Sequence, residues 1–95
     1  MQEDIYCALG NEVRVKLLLC LSQGEKTVSE LVLNCGLAQS AVSQHLQKLR
    51  ACNMVVVRPD GREKYYSIAD SELTQICTLL HQYAIKKGSR TLSFA

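Results

Sequence analysis

The stretch Thr27-Val28-Ser29-Glu30-Leu31-Val32-Leu33-Asn34-Cys35-Gly36-Leu37-Ala38-Gln39-Ser40-Ala41-Val42-Ser43-Gln44-His45-Leu46 decides the fold through its punctuation. Thr27, with Glu30 three residues later, has the form of a capping box, in which hydroxyl and carboxylate each accept from the other's backbone N–H. Val28, Leu31, Val32 and Cys35 then fall at i, i+3, i+4 and i+7, one apolar stripe on a helix of about two turns, which Gly36 ends. After Gly36-Leu37 a further helix is expected over 39–52, with Val42, Leu46 and Leu49 inward. Its opposite face carries Gln39, Ser40, Ser43, Gln44 and Gln47, polar but uncharged, and cations arrive only toward its end, at Lys48 and Arg50. Two helices joined by a Gly-containing turn make a helix-turn-helix, whose second helix enters the DNA major groove by its N-terminal half. A polar helix face on its own most often does no more than meet water, so its neighbours decide the reading.

Upstream, residues 5–9 have the look of a short helical lead-in, Gly10 of a break and Asn11 of an N-cap. Val13, Leu17, Leu18 and Leu21 recur at helical spacing over 12–22, with Arg14 and Lys16 turned away from them. Downstream, Val55-Val56-Val57 and Lys64-Tyr65-Tyr66-Ser67-Ile68 have strand propensity. The segment 58–63 between them contains Pro59-Asp60-Gly61, a turn signal, so a β-hairpin with a charged tip is expected. Asp70 caps a last helix with Leu73, Ile76, Leu80, Tyr83 and Ala84 along one side, and 88–95 reads as a frayed tail. A helix-turn-helix followed at once by a hairpin with a basic tip is a winged helix, whose wing can carry Arg into the adjacent minor groove. The expected fold is mainly α with a small β-hairpin, about five helices plus a two-stranded wing in one domain over 1–95.

The 95 residues suit a single domain with a modest core, a size at which a second subunit often completes the apolar packing. A homodimer is therefore expected, with Ile5, Leu73, Leu79 and Leu80 as candidate interface positions. Eleven Lys and Arg against nine Asp and Glu give a net charge of only +2, so any basic footprint must be local. No apolar run approaches the length of a membrane span, since Arg14 and Lys16 interrupt the segment 13–21. The start, Met1-Gln2-Glu3-Asp4, is acidic and unlike a secretory signal, so a soluble, cytoplasmic protein away from membranes is expected. Cys7, Cys20, Cys35, Cys52 and Cys77 are odd in number and widely spaced, which favours reduced thiols over a disulfide scaffold. No hydrolytic triad order, zinc-protease motif, phosphate-binding glycine loop or carboxylate pair stands out, so an enzyme is not expected.

Five segments give the pattern a name: Ala8-Leu9-Gly10-Asn11-Glu12-Val13-Arg14, Thr27-Val28-Ser29-Glu30-Leu31, Gly36-Leu37-Ala38-Gln39-Ser40-Ala41-Val42-Ser43-Gln44-His45-Leu46, Leu49-Arg50-Ala51-Cys52-Asn53-Met54-Val55 and Gly61-Arg62-Glu63-Lys64-Tyr65-Tyr66. In order and spacing they resemble successive signatures of the ArsR/SmtB family. That resemblance implies a homodimeric winged-helix repressor that binds double-stranded DNA at an inverted-repeat operator and releases it on a metal ion or thiol-reactive signal. It implies DNA contacts at Gln39, Ser40, Ser43, Gln44 and His45, and in the wing at Arg62 and Lys64. Gln amides suit the donor and acceptor edge of adenine, Ser suits bases or phosphates, and wing cations suit phosphates. His45 reads equally as a packed histidine bonded to backbone. Glu63, between Arg62 and Lys64, is placed to form a local ion pair. Many relatives carry Ser where this chain has Ala38, so a cap or phosphate contact is lost.

The metal positions implied by the family are mostly unfilled. A thiolate site on the helix over 28–35 would need Cys near Val32 and Asn34. A zinc site on the last helix has Asp70 and Glu72 for its first pair, but Tyr83 and Lys86 where the later ligands fall, with His81 off register. A two-cysteine site near the end of the recognition helix has Cys52 but Lys48. No cofactor is expected and metal binding stays open. Redox-sensing relatives pair a Cys in the helix over 12–22 with one in the last helix, which makes Cys20 and Cys77 candidate sensor thiols, and Cys52 joins them as the one cysteine present at the recognition-helix site. Cys20 stands one residue past the usual place, where this chain has Leu19, and Cys77 stands early. Each of Cys20, Cys35 and Cys77 reads first as a small buried hydrophobe. Two other readings stay open: a constitutive DNA-binding regulator without an inducer site, and a winged-helix module that binds protein.

Overall fold

The computed structural model describes Tyr6 and residues 9–88. Within them run α1 (Glu12–Leu21), α2 (Val28–Cys35), α3 (Gln39–Ala51), β1 (Val55–Asp60), β2 (Glu63–Ile68) and α4 (Ser71–Lys86). The lead-in expected over 5–9 lies mostly outside the described residues; of it Tyr6 and Leu9 are helical, and the Gly10 N–H donates to the Tyr6 carbonyl at 2.9 Å. Most of the expected tail lies outside them too.

Helix α1 starts at Asn11, whose side chain accepts from the Arg14 N–H at 3.0 Å. It is the central post of the molecule, touching α2, α3, α4 and β2. The sequence pointed to one apolar side, but Val15 and all of Leu17, Leu18, Leu19, Cys20 and Leu21 are buried. A helix apolar on nearly all sides is a buried helix, and this one is enclosed by its neighbours. Arg14, expected to turn away from that stripe, is nonetheless buried, at only 6% exposed.

The capping box of α2 forms as expected, with the Thr27 hydroxyl accepting from the Glu30 N–H at 3.2 Å and the Glu30 carboxylate from the Thr27 N–H at 2.9 Å. Gly36 closes α2 in the left-handed conformation at φ 66°, which an L side chain adopts only with strain. Val42, Leu46 and Leu49 of α3 are all but fully buried, as the periodicity requires. Helix α3 ends in a Schellman arrangement. Asn53 takes φ 61°, its N–H reaches the Arg50 carbonyl at 3.0 Å, and the Met54 N–H reaches the Leu49 carbonyl at 2.9 Å. That exit fixes the direction in which β1 leaves the recognition helix.

The strands run further than their propensity indicated. Asp60 pairs with Glu63, so the turn is the two-residue Gly61-Arg62 rather than Pro59-Asp60-Gly61. Gly61 sits at φ 64° in the first central position, the pattern of a type II′ hairpin turn. Pro59 lies inside β1 opposite Lys64, an edge position that tolerates a missing N–H. A short bridge invisible in the sequence adds to the sheet: Lys26 and Tyr66 exchange backbone hydrogen bonds at 2.9 and 2.8 Å, tying the start of the helix-turn-helix to the wing. Asp70 caps α4 by accepting from the Leu73 N–H. The expected apolar side of α4 divides: Leu73 and Cys77 enter the core, whereas Ile76, Leu80 and Tyr83 remain exposed. Leu73 is thus a core residue and not an interface candidate. Leu79 and Leu80 do lie at the surface, and Ile5 is outside the described residues.

Candidate nucleic-acid interface

Helix α3 presents Gln39, Ser40 and Gln44 to solvent with Ser43 half-buried, on the side away from Val42, Leu46 and Leu49. Its inner face is held by core packing, so the outer side chains project from a rigid rod. At its N-terminus Ala38 supplies no side-chain cap and the first turn carries no acidic residue, whereas Lys48 and Arg50 lie in the last turn. The first N–H groups of a helix have no intrahelical partner, and here no side chain takes them at the cap.

His45 is half-buried, and its Nδ1 accepts from the Nε–H of buried Arg14 at 3.3 Å. Burial, then the positive charges of Arg14 and Lys48, hold its pKa below the ordinary imidazole range. An Nδ1 that accepts leaves the ring proton on Nε2, so the imidazole is a neutral donor on that side. The packed reading of this histidine therefore has a concrete form, with a side-chain guanidinium and not the backbone as partner.

The wing exposes Arg58, Arg62 and Lys64 beside Asp60 and Glu63. Arg58 is engaged: it grips both Glu25 carboxylate oxygens, from Nε at 3.1 Å and from a terminal nitrogen. It also stacks over the ring of its cross-strand neighbour Tyr65 at 4.9 Å and lies 3.8 Å from Asp60. The guanidinium, by hydrogen bond first and charge second, lowers the Glu25 pKa. Among the described residues Glu63 makes no ion pair with Arg62 or Lys64, so the expected local pair does not form, and the wing's ion pairs are those of Arg58. Arg62 sits in the turn and Lys64 beside it, both exposed.

Of the candidate thiols, Cys20 and Cys77 are buried and Cys52 half-buried, and Cys7 lies outside the described residues. Desolvation pushes Cys77 up to about 11. Cys20 meets Cys35 of α2 rather than Cys77, at 3.6 Å between sulfurs. The sequence held a signal for this contact, since Cys35 lies on the inward stripe of α2 and Cys20 in an apolar helix, but periodicity does not tell which stripes meet. Among the described residues no group of three or more His, Cys, Asp or Glu is gathered closely enough to hold a metal ion.

A mainly helical core, a helix-turn-helix and a two-stranded wing define a winged helix-turn-helix protein. Residues 11–57 match the model of the bacterial regulatory protein, arsR family. The chain is 38% identical over 72 residues to a probable mercury resistance operon repressor of Streptomyces lividans, covering 76% of this chain and 58% of that protein. It is 36% identical over 75 residues to the transcriptional activator HlyU of Vibrio cholerae, covering 79% and 69%. The HlyU structure superposes with a TM-score of 0.75 at 34% identity, over 83% of this chain and 86% of that one. The homodimeric winged helix-turn-helix DNA-binding domain from Mycobacterium bovis gives 0.74 at 30% identity, over 84% and 74%. The chain belongs to the ArsR family. No helix among the described residues is long and apolar enough to cross a membrane.

Proposed function

We propose that this chain is a sequence-specific DNA-binding transcriptional regulator of the cytoplasm, a homodimeric repressor that reads an inverted-repeat operator. In this reading a thiol-reactive signal or a metal ion releases it. The observation that carries the reading is the exposed, uncharged polar face of α3, Gln39, Ser40 and Gln44, mounted on a helix whose other face is fixed in the core. Amides and hydroxyls without charge discriminate bases, whereas cations bind any phosphate. Around that face the phosphate contacts fall to Arg62, Lys64 and the uncapped N-terminus of α3, whose N–H groups favour an anion. Ser43, half-buried, lies on the same face, and half-buried His45 is held beside the core by Arg14. Relatives described as repressors and as an activator share the architecture, so the sign of regulation is this chain's own property.

Gln44→Ala and Ser43→Ala should each weaken binding to a duplex selected from a randomised library by about 1–3 kcal/mol, with circular dichroism unchanged. The affinity of the unmodified chain should also fall steeply with salt. Negligible duplex binding at every salt concentration would mark a protein-interaction module instead. Retained affinity in both variants would remove α3 as the reading helix.

A further inference from the structure

Cys20 and Cys35 come from different helices, yet their sulfurs are 3.6 Å apart with both residues about 5% exposed. Disulfide sulfurs are about 2.05 Å apart, so roughly 1.5 Å of approach separates two free thiols from a bond. Lys16, one turn before Cys20 on α1, donates Nζ–H to the Cys35 carbonyl at 3.1 Å, which sets an ammonium beside the pair. Cys35 is the last residue of α2, directly before Gly36, and α3 begins three residues after Gly36.

We propose that Cys20 and Cys35 are an oxidisable dithiol, closed to an intramolecular disulfide by a hydroperoxide, and that closure weakens DNA binding by displacing the turn that carries α3. The second half rests on the DNA-binding function proposed above. The first step falls to Cys35. Either thiol can donate across the 3.6 Å contact; with Cys20 as donor, its S–H and the Lys16 ammonium both favour thiolate at Cys35 and leave Cys20 the protonated partner. The Cys35 thiolate attacks a peroxide oxygen and the O–O bond breaks. The departing oxygen takes up a proton to leave as water or an alcohol, and Cys35 becomes a sulfenic acid. The Cys20 sulfur then attacks the sulfenic sulfur. The S–S bond forms, the S–O bond breaks, and the leaving hydroxide takes the Cys20 proton as water. Two thiols lose two electrons and the peroxide gains them. Close-packed interiors yield little, so drawing the end of α2 toward α1 moves Gly36 and the start of α3 instead of compressing Leu17, Leu18 and Leu31 between them.

Cleavage after Lys16, Lys26 and Lys48 places Cys20 in peptide 17–26 and Cys35 in peptide 27–48, with no other cysteine in either. The reduced full chain, treated with hydrogen peroxide, alkylated and digested with trypsin, should yield these two peptides cross-linked, and dithiothreitol should separate them. The oxidised chain should bind a duplex selected by the reduced chain on the order of tenfold more weakly, with recovery on reduction. Cys35→Ala and Cys20→Ala should each bind it equally before and after peroxide. Cys20 and Cys35 staying alkylatable while Cys7 or Cys52 is oxidised would overturn the site. A cross-link with unchanged duplex affinity would overturn its regulatory effect. A reduced chain that selects no duplex would overturn the DNA-binding reading, while the peptide map still decides the dithiol.

Discussion

The Nδ1 of His45 accepts a hydrogen bond from the Arg14 Nε–H, and it can do so only while the imidazole is neutral. A folded-state pKa below the unfolded one means that the unfolded chain binds the proton first. The contribution of His45 is then fully present above the unfolded value, near about 6.5, and is lost as pH falls through the lower folded value. Urea unfolding between about pH 7.5 and pH 5 should therefore show a falling midpoint, and His45→Gln, which keeps an acceptor without a titration, should flatten that fall. An equal slope in both proteins would remove His45 as the source. Across the wing, Arg58 is bound to Glu25 and so is withheld from phosphates. Glu25→Gln should release it, raising non-specific duplex affinity at low salt and steepening the log–log salt slope by about 0.9, one phosphate's share. An unaltered slope would mean that Arg58 faces away from bound DNA.

Among the elements, α3 has the weakest start. Asn11, Thr27 and Asp70 each cap their helices through a side chain, whereas Ala38 occupies an extended N-cap conformation, φ −65° and ψ 148°, with nothing to offer. Ala38→Ser should supply the missing acceptor and raise stability by about 0.5–2 kcal/mol, read as a higher thermal midpoint. A lower or unchanged midpoint would show that the first turn is already satisfied. The helices were legible from the sequence because caps and apolar periods are local: Thr27 with Glu30, Gly36, and Val42 with Leu46 and Leu49 all behave as read. The wing was less so. Pro59-Asp60-Gly61 is a strong turn signal, but cross-strand pairing carried β1 to Asp60 and moved the turn by one residue. The polar face of α3 was equally plain. The partners of Arg14, Arg58 and Cys20 were not, because His45, Glu25 and Cys35 lie 31, 33 and 15 residues away and only packing brings them together.

For the molecule as a whole, α4 poses the question of what covers it. Leu73 and Cys77 fix one side of this helix to the core, while Ile76, Leu79, Leu80 and Tyr83, at i, i+3, i+4 and i+7, form a second apolar stripe in solvent. One small domain does not need two such faces, and a stripe of this spacing is a seam for another helix. In the proposed homodimer the same stripe from each subunit would meet across a two-fold axis, and an inverted repeat would then require the two α3 helices to face successive major grooves about 34 Å apart. Leu79 is 65% exposed and contributes nothing to the core of its own subunit, so Leu79→Glu tests the seam without disturbing the fold. Sedimentation should show a monomer at concentrations where the parent chain is dimeric, with an unchanged helical circular dichroism spectrum. Affinity for the inverted repeat should fall by about a hundredfold or more as the two half-sites lose their linkage, while binding to a single half-site stays close to that of the parent. A Leu79→Glu chain that remains dimeric would place the two-fold contact elsewhere than α4, and the geometry of half-site spacing would have to be drawn from that other face.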